Sequence, residues 1–142
     1  MGKAILRLVL GVLAGFVVMW VVIAGIELVG KMIWPPPPGI DPSNTADLGA
    51  YLAAAPTPAL AMIVFAWVVG AWAGGFVAAK ISRPWPRTAA IVIGLFVLFA
   101  VVGMIFLAPG HPAWMAILGL VLPVPMALLG ARAARPRVLP SP

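Results

Sequence analysis

Few residues in this sequence could do chemistry, and they lie beside apolar stretches. Glu27 and Lys31 are four residues apart near the end of a long apolar run, in the order that favours an ion pair along a helix. Asp41 and Asp47 follow that run, and His111, the only histidine, precedes the last apolar run. Ionisable groups in membrane segments are functional candidates by default. Glu27 therefore has three candidate roles: a structural ion pair, the handling of a proton or cation, and the docking of a partner.

The residues that most catalytic and metal-binding sites need are missing. The chain has no cysteine, which removes thiolate nucleophiles and cysteine-ligated zinc or iron–sulfur sites. One histidine cannot supply the pair that ligates a typical b-type haem, and no spacing of His, Asp and Glu matches a metal site. Ser43, Ser82 and Ser141 have no triad motif around them. The sequence therefore predicts that the protein is not an enzyme and has no catalytic residue, metal or cofactor.

The elements that must position Glu27 are predicted to be membrane helices. With 64% hydrophobic and 8% charged side chains among 142 residues, the chain is too poor in polar groups to cover a soluble globule of its size. Four charge-free apolar windows have the length of about 20 residues that a helix needs to cross a bilayer. The predicted fold is an all-α integral membrane four-helix bundle in one domain, with spans at 4–34, 57–80, 88–108 and 112–132.

Charge predicts the orientation of this bundle. All but one of the nine Lys and Arg residues lie before the first span, between the second and third spans, or in a basic tail at 132–142: Lys3, Arg7, Lys80, Arg83, Arg87, Arg132, Arg135 and Arg137. Cytoplasmic loops are enriched in Lys and Arg, so we expect both termini in the cytoplasm. The same cations predict contact with anionic membrane lipids. They do not predict nucleic-acid binding, because they form no single patch on a soluble surface.

The segment 35–56 is predicted to be an outer loop. Its "PPPPG" cannot donate backbone hydrogen bonds and ends the first helix. Asn44, followed three residues later by Asp47, is typical of a helix N-cap with an acid in the first turn, which predicts a short external helix from Thr45 to Ala54. Spans two and four both begin on the outer side. We therefore expect an outer polar cluster of Glu27, Lys31, His111, Asp41 and Asp47.

Small residues in the second span predict a close contact between helices. Small side chains at intervals of four allow two helix backbones to approach closely, and this stripe consists of Ala66, Gly70, Gly74 and Ala78. Gly11 and Gly15 form a shorter stripe on the first helix and are its expected mate. The alternative is a contact with a second subunit. The third span is bulky, and we expect it to face lipid.

Other features of the spans predict local structure. Pro123 and Pro125 predict a kink halfway along the fourth span, because each removes an intrahelical hydrogen bond. The kink is either scaffolding or a place where backbone carbonyls are exposed to ions. Trp20, Trp67 and Trp72 lie within spans, where an indole needs a hydrogen-bond acceptor. We expect some of these rings to face another helix.

Three stretches together resemble a known group of sequences: "PPPPGIDPSNTADLGAYLAAAP", "AWVVGAWAGGFVAAKISR" and "PGHPAW". They are similar to small bacterial inner-membrane proteins that have four helices and no assigned function. The resemblance covers nearly the whole chain. It implies a location in the bacterial inner (plasma) membrane and an outer loop of this kind, and it implies no chemistry.

Two functions fit these observations. The first is a structural or accessory subunit that packs through its small-residue helix faces, either with itself as a homo-oligomer or with a larger membrane-protein complex. The alternative is a small oligomeric transporter or permeation unit that uses Glu27 near its outer mouth. A Glu27→Gln substitution distinguishes them, since it should abolish transport and leave an accessory subunit nearly unaffected. If the protein is an accessory subunit, replacing Gly70 or Gly74 by Leu or Ile should instead disrupt its association with its partner.

Overall fold

Helices account for most of the chain. The computed structural model describes residues 1–135, which form α1 (Gly2–Ile33), α2 (Thr45–Ala54), α3 (Thr57–Ile81), α4 (Pro86–Leu107), α5 (Ala113–Val121) and α6 (Pro123–Ala133). Four segments are long and apolar enough to cross a bilayer: α1, α3, α4 and the stretch Ala113–Ala133 that contains α5 and α6. The predicted all-α class and the four membrane-length helices are therefore confirmed. Arg137 and the rest of the predicted basic tail beyond residue 135 lie outside the described residues.

The long segments alternate in direction, so the bundle has two different ends. At one end, the Ser82 hydroxyl after α3 donates a hydrogen bond to the carbonyl oxygen of Arg7 in α1, at 3.2 Å. At the other end, Gly49 of α2 lies close to the carbonyl oxygen of Pro109, in the turn between α4 and α5. We call these the basic end and the α2 end. The orientation of the two ends across a membrane, and the external position of α2, stay predictions.

Local polar contacts define the start of α2. The Asn44 side chain accepts a hydrogen bond from the backbone N–H of Ala46 at 3.1 Å, and Asp47 lies in the first turn. This is the capping pattern that the spacing predicted, and it satisfies one of the amides that a helix start leaves free. Tyr51 and Leu52 are buried. The short helix therefore packs on the bundle through one face.

α3 lies at the centre of the bundle and contacts α1, α4, α5 and α6. Its approach to α1 is so close that a methyl group added at Gly74 would lie 2.7 Å from the carbonyl oxygen of Gly15. The residues that α1 buries are spaced by four, and in antiparallel order they oppose a matching stripe on α3: Gly11, Gly15, Met19 and Ile23 against Ser82, Ala78, Gly74 and Gly70. Ala66, the next member of the α3 stripe, is fully buried. The small residues singled out in the sequence are thus brought together within one chain.

A second close contact joins α3 to α6. A methyl group added at Gly75 would lie 2.7 Å from the Cα atom of Ala127, and Gly130 of α6 lies against the backbone of Trp72 and Phe76. Two faces of α3 are therefore covered by helices of the same chain. Trp72 itself points outward, with 37% of its surface exposed.

The fourth membrane-length segment is interrupted at Leu122, between α5 and α6. Pro123, in the first turn of α6, is buried, whereas Pro125 is exposed. A methyl group added at Gly94 of α4 would lie 2.7 Å from the Cα atom of Val124, so α4 and α6 meet just after the interruption. The prolines that predicted a kink therefore lie where the structure divides this span.

α4 differs from the expectation that it faces lipid. Ile93, Val97 and Val101 are no more than 2% exposed and form a stripe at intervals of four on one side of this helix. α4 contacts α3 and α6. Bulky side chains pack between helices as well as small ones, so bulk alone did not reveal the buried side.

Candidate binding cleft between α1 and α4

The stripe that packs α1 on α3 also positions Glu27. Continuing the spacing of four beyond Ile23 leads to Glu27 and then Lys31. Each step of four residues turns about 40° more than a full circle, since a helix has 3.6 residues per turn. The stripe therefore winds around α1, and Glu27 lies beside the α1–α3 contact. Its side chain is half-buried.

Glu27 lies in a cleft between α1 and α4 that contains two adjacent cavities. The first, which we call the lower cavity, has a volume of about 370 Å³ and extends from Glu27 towards the middle of the bundle. Glu27 is its one charged lining residue among the described residues. Five aromatic rings also line it: Phe16, Trp20, Trp67, Phe96 and Phe99. The lower cavity is thus an apolar, ring-lined space with a single carboxylate.

Two helices and a fixed indole define the shape of the lower cavity. Phe16 of α1 meets Phe96 of α4 edge-on, with ring centroids 5.0 Å apart, and also contacts Trp20 edge-on at 6.3 Å. The Phe16–Phe96 pair joins α1 to α4 on the side of the cavity away from Glu27. Trp67 of α3 is 8% exposed, and its ring packs on Gly119 of α5. Its position is therefore set by close packing.

The second cavity, which we call the upper cavity, lies between Glu27 and α2. Its volume is about 310 Å³, and its lining includes Glu27, Lys31, Tyr51, Leu48 and Leu52. Burial raises the pKa of the Tyr51 phenol, and the negative charge of Glu27 raises this pKa further. The α2 helix therefore places its phenol within the electrostatic reach of the Glu27 carboxylate.

Tyr51 is the member of this site that sequence reasoning missed. It lines the upper cavity together with Leu48 and Leu52. The available signal was that Tyr51 is the only tyrosine in the chain and shares a helix face with two leucines. Its proximity to Glu27 depends on the path of the preceding loop, which the sequence pattern does not specify.

The expected ion pair between Glu27 and Lys31 is not formed. Both residues line the upper cavity. Within residues 1–135, however, their charged atoms do not come within the 4.0 Å that defines a salt bridge. Favourable i,i+4 spacing is worth only about 0.2–0.5 kcal/mol, which is too little to hold two side chains together when each faces a cavity.

Asp41, in the loop before α2, and Asp47, in the first turn of α2, form a separate network. The Asp41 carboxylate accepts hydrogen bonds from the Ser43 hydroxyl and, at 2.9 Å, from the Ser43 backbone N–H. The Asp47 carboxylate accepts one from the Asp41 backbone N–H at 3.3 Å. The Ser43 hydrogen bonds hold the pKa of Asp41 below its ordinary value, and Lys31 contributes to this shift. These carboxylates shape the loop, and neither lines the lower or upper cavity.

His111 lies in the turn between α4 and α5. Its Nδ1 atom is 3.0 Å from the carbonyl oxygen of Ala108, so this nitrogen donates a hydrogen bond within the turn. His111 lines neither cavity. The outer polar cluster expected from the sequence is therefore divided into the Glu27–Lys31–Tyr51 site, the Asp41–Asp47 loop network and this turn.

The chemistry that the cleft offers is recognition. In the part of the chain that the structure describes, no group of three His, Cys, Asp or Glu side chains could hold a metal ion. The faces of aromatic rings attract cations, and a carboxylate in an apolar site is stabilised by a positive partner. The lower cavity therefore suits an apolar molecule that carries one positive charge.

Comparisons with protein-family models, with curated proteins and with solved structures found no match to this chain. The resemblance to small bacterial inner-membrane proteins with four helices stays a prediction.

Proposed function

We propose that the protein binds an apolar organic cation within the membrane, in the cleft between α1 and α4. The observation that carries this proposal is the lower cavity, in which Glu27 is the one charged lining residue among the described residues and five aromatic rings are part of an otherwise apolar lining. An anion there would be repelled by the carboxylate. An apolar neutral ligand would displace water from the Glu27 carboxylate without replacing the hydrogen bonds that the water makes to it. Leaving the carboxylate without those hydrogen bonds costs free energy.

Lys31 does not cancel the preference for a cation. It lines the upper cavity and not the lower one, one helical turn beyond Glu27. A lysine near a helix end can extend its ammonium group towards the water at the membrane surface. A cation in the lower cavity is therefore closer to Glu27 than to Lys31.

The size of the cleft also supports a small-molecule ligand. The two cavities, of about 370 and 310 Å³, each lie within the range of roughly 300–1,000 Å³ that is typical of ligand pockets. Because the cleft lies between membrane-length helices, an apolar ligand would enter it sideways from the bilayer. The Phe16–Phe96 contact joins α1 to α4 below the cavity, which favours a binding site over an open path through the bundle.

The same geometry ranks the two functions expected from the sequence. An accessory subunit that docks through the α3 stripe needs that stripe free, but Gly70 and Gly74 are covered by Met19, Ile23 and Gly15 of the same chain. The function that uses Glu27 needs a cavity at this carboxylate, and one is present. More specifically, we propose that the protein is a transporter that assembles as an oligomer in a bacterial inner membrane.

The test compares two probes of the same shape and opposite charge. Binding of tetraphenylphosphonium and of tetraphenylborate is measured by equilibrium dialysis on the protein in nanodiscs of zwitterionic lipid, with empty nanodiscs as the blank. We expect the cation to bind and Glu27→Gln to weaken its binding at least about tenfold, or 1.4 kcal/mol. This substitution keeps the size of the side chain and removes its charge.

Asp41→Asn is the matched control, because it removes a negative charge at the same end from a residue that is outside the cleft. It should leave cation binding within about twofold of the unmodified protein. The proposal is wrong if Glu27→Gln binds the cation as tightly as the unmodified protein does, or if the borate anion binds as well as the cation.

A further inference from the structure

A third cavity lies at the basic end, far from the cleft. Its volume is about 570 Å³, and it is bounded by the end of α3, the start of α4 and the end of α6. Lys80, Arg83 and Arg135 line it, together with apolar groups that include Phe76 and Ala131. We call it the basic pocket. Three cationic side chains and a group of apolar side chains thus line the same pocket.

No acidic side chain of this chain can neutralise the basic pocket. The whole sequence contains three acidic residues, Glu27, Asp41 and Asp47. Glu27 lies in the cleft, Asp41 in the loop before α2, and Asp47 in the first turn of α2. All three therefore belong to the opposite end of the bundle. α4 also begins at the pocket without a side-chain cap, so the free N–H groups of its first turn add to the positive potential.

The surroundings of the pocket indicate what kind of anion would fit. The Lys80 ammonium lies over the Phe76 ring, 5.3 Å from its centroid, so this cation is held at an apolar surface. Phe76 stacks on Trp72, with centroids 5.7 Å apart, one turn further along α3 towards the middle of the bundle. Trp72 is partly exposed. An apolar aromatic strip thus leads from the cations along the membrane-facing side of the bundle.

We infer that the basic pocket binds one anionic phospholipid, with its phosphate between Lys80, Arg83 and Arg135 and an acyl chain along Phe76 and Trp72. Charge complementarity requires a negative headgroup. The aromatic strip provides apolar contact that a free phosphate ion cannot use. Basic pockets between membrane helices are known to bind such headgroups. This site is independent of the Glu27 cleft and of the function proposed for it.

Native mass spectrometry of the purified protein in mild detergent tests this inference, with phosphatidylglycerol and phosphatidylcholine as probes of equal chain length. We expect the unmodified protein to bind phosphatidylglycerol at least about tenfold more tightly. The triple variant Lys80→Gln, Arg83→Gln, Arg135→Gln should lose that preference. The three side chains are exposed, and circular dichroism of the variant checks that its helices are retained.

The matched control is the triple variant Lys3→Gln, Arg7→Gln, Arg132→Gln. It removes the same charge from exposed residues at the same end that do not line the pocket, and it should keep the preference for phosphatidylglycerol. Equal loss in both triple variants would mean that diffuse positive charge attracts the lipid, and the inference would be wrong.

A competition experiment separates the lipid from a free anion. Millimolar inorganic phosphate should leave phosphatidylglycerol bound, because the ion cannot replace the contact along the aromatic strip. Displacement of the lipid by phosphate would identify the pocket as a site for phosphate itself and overturn the assignment. Absence of any preference between the two lipids in the unmodified protein would overturn it as well.

Discussion

A methyl group at Gly74 should separate α1 from α3, and the structure gives the size of the effect. The new carbon would lie 2.7 Å from the carbonyl oxygen of Gly15 and 2.8 Å from the Cβ atom of Met19, whereas ordinary contacts begin at 3.4 Å. The helices must therefore move apart by about 0.7 Å, the difference between 3.4 and 2.7. Overpacking of this kind costs roughly 1–3 kcal/mol.

Gly25→Ala is the matched control for Gly74→Ala. Gly25 is also inside a long helix, but a methyl group there would meet nothing within 4 Å. Both variants gain the same preference of alanine over glycine for the helix, roughly 0.5–1 kcal/mol. The new carbon would also lie 3.0 Å from the Cγ2 atom of Ile93 in α4. The difference between the two variants therefore measures the crowding at Gly74, which is tightest against α1, and we expect Gly74→Ala to be less stable than Gly25→Ala by about 1–3 kcal/mol.

The measurement is reversible unfolding in mixed micelles with increasing sodium dodecyl sulfate, followed by circular dichroism. The double variant Gly15→Ala, Gly74→Ala adds a second test. Both methyl groups enter the same contact, so the second should cost less once the first has moved the helices apart, and the two effects should not add. If Gly74→Ala and Gly25→Ala unfold within about 0.5 kcal/mol of each other, the close approach of α1 and α3 is refuted.

Two further predictions concern single side chains. Tyr51, the only tyrosine, should form phenolate above the ordinary pKa of about 10, and Glu27→Gln should lower its ultraviolet titration midpoint, because the Glu27 charge helps to raise that pKa. An unchanged titration midpoint in Glu27→Gln would contradict the placement of Tyr51 beside Glu27. Because the pKa of Tyr51 is higher in the folded than in the unfolded protein, its contribution to stability is fully present below about pH 10 and is lost as the pH rises through the folded pKa. Ser82→Ala should lower the free energy of unfolding by about 0.5–1.5 kcal/mol in the same micelle assay, because it removes the hydrogen bond to the Arg7 carbonyl. If the Ser82→Ala variant is as stable as the unmodified protein, this hydrogen bond contributes nothing to the free energy of unfolding.

The helices could be predicted from the sequence because their causes are local. A span needs about 20 apolar residues, and the ends of the four predicted spans lie within two residues of the ends of the observed membrane-length helices. The short helix α2 has its predicted bounds, because the Asn44 cap lies immediately before it. The spacing of Gly11 and Gly15 and of the α3 stripe indicated a close contact, and the structure brings these residues together.

The candidate site depends on contacts that no local pattern specifies. Glu27 could be placed at a depth along α1, but the rings around it come from α1, α3 and α4, and their meeting depends on how α4 packs. His111 was grouped with Glu27 because both lie at the same end, yet its hydrogen bond to Ala108 keeps it in its own turn. Shared depth in a bundle does not determine which side chains face each other.

The cleft is built from parts of the chain that are synthesised far apart in time. The carboxylate is on α1, which leaves the ribosome before α4, and Phe96 and Phe99 are on α4, two membrane-length helices later. Until α4 has inserted, Glu27 is accompanied only by the neighbouring residues of α1, α2 and α3. The cleft is therefore complete only once α4 is in place. A nascent chain that stalls before α4 carries the acidic group without Phe96 and Phe99.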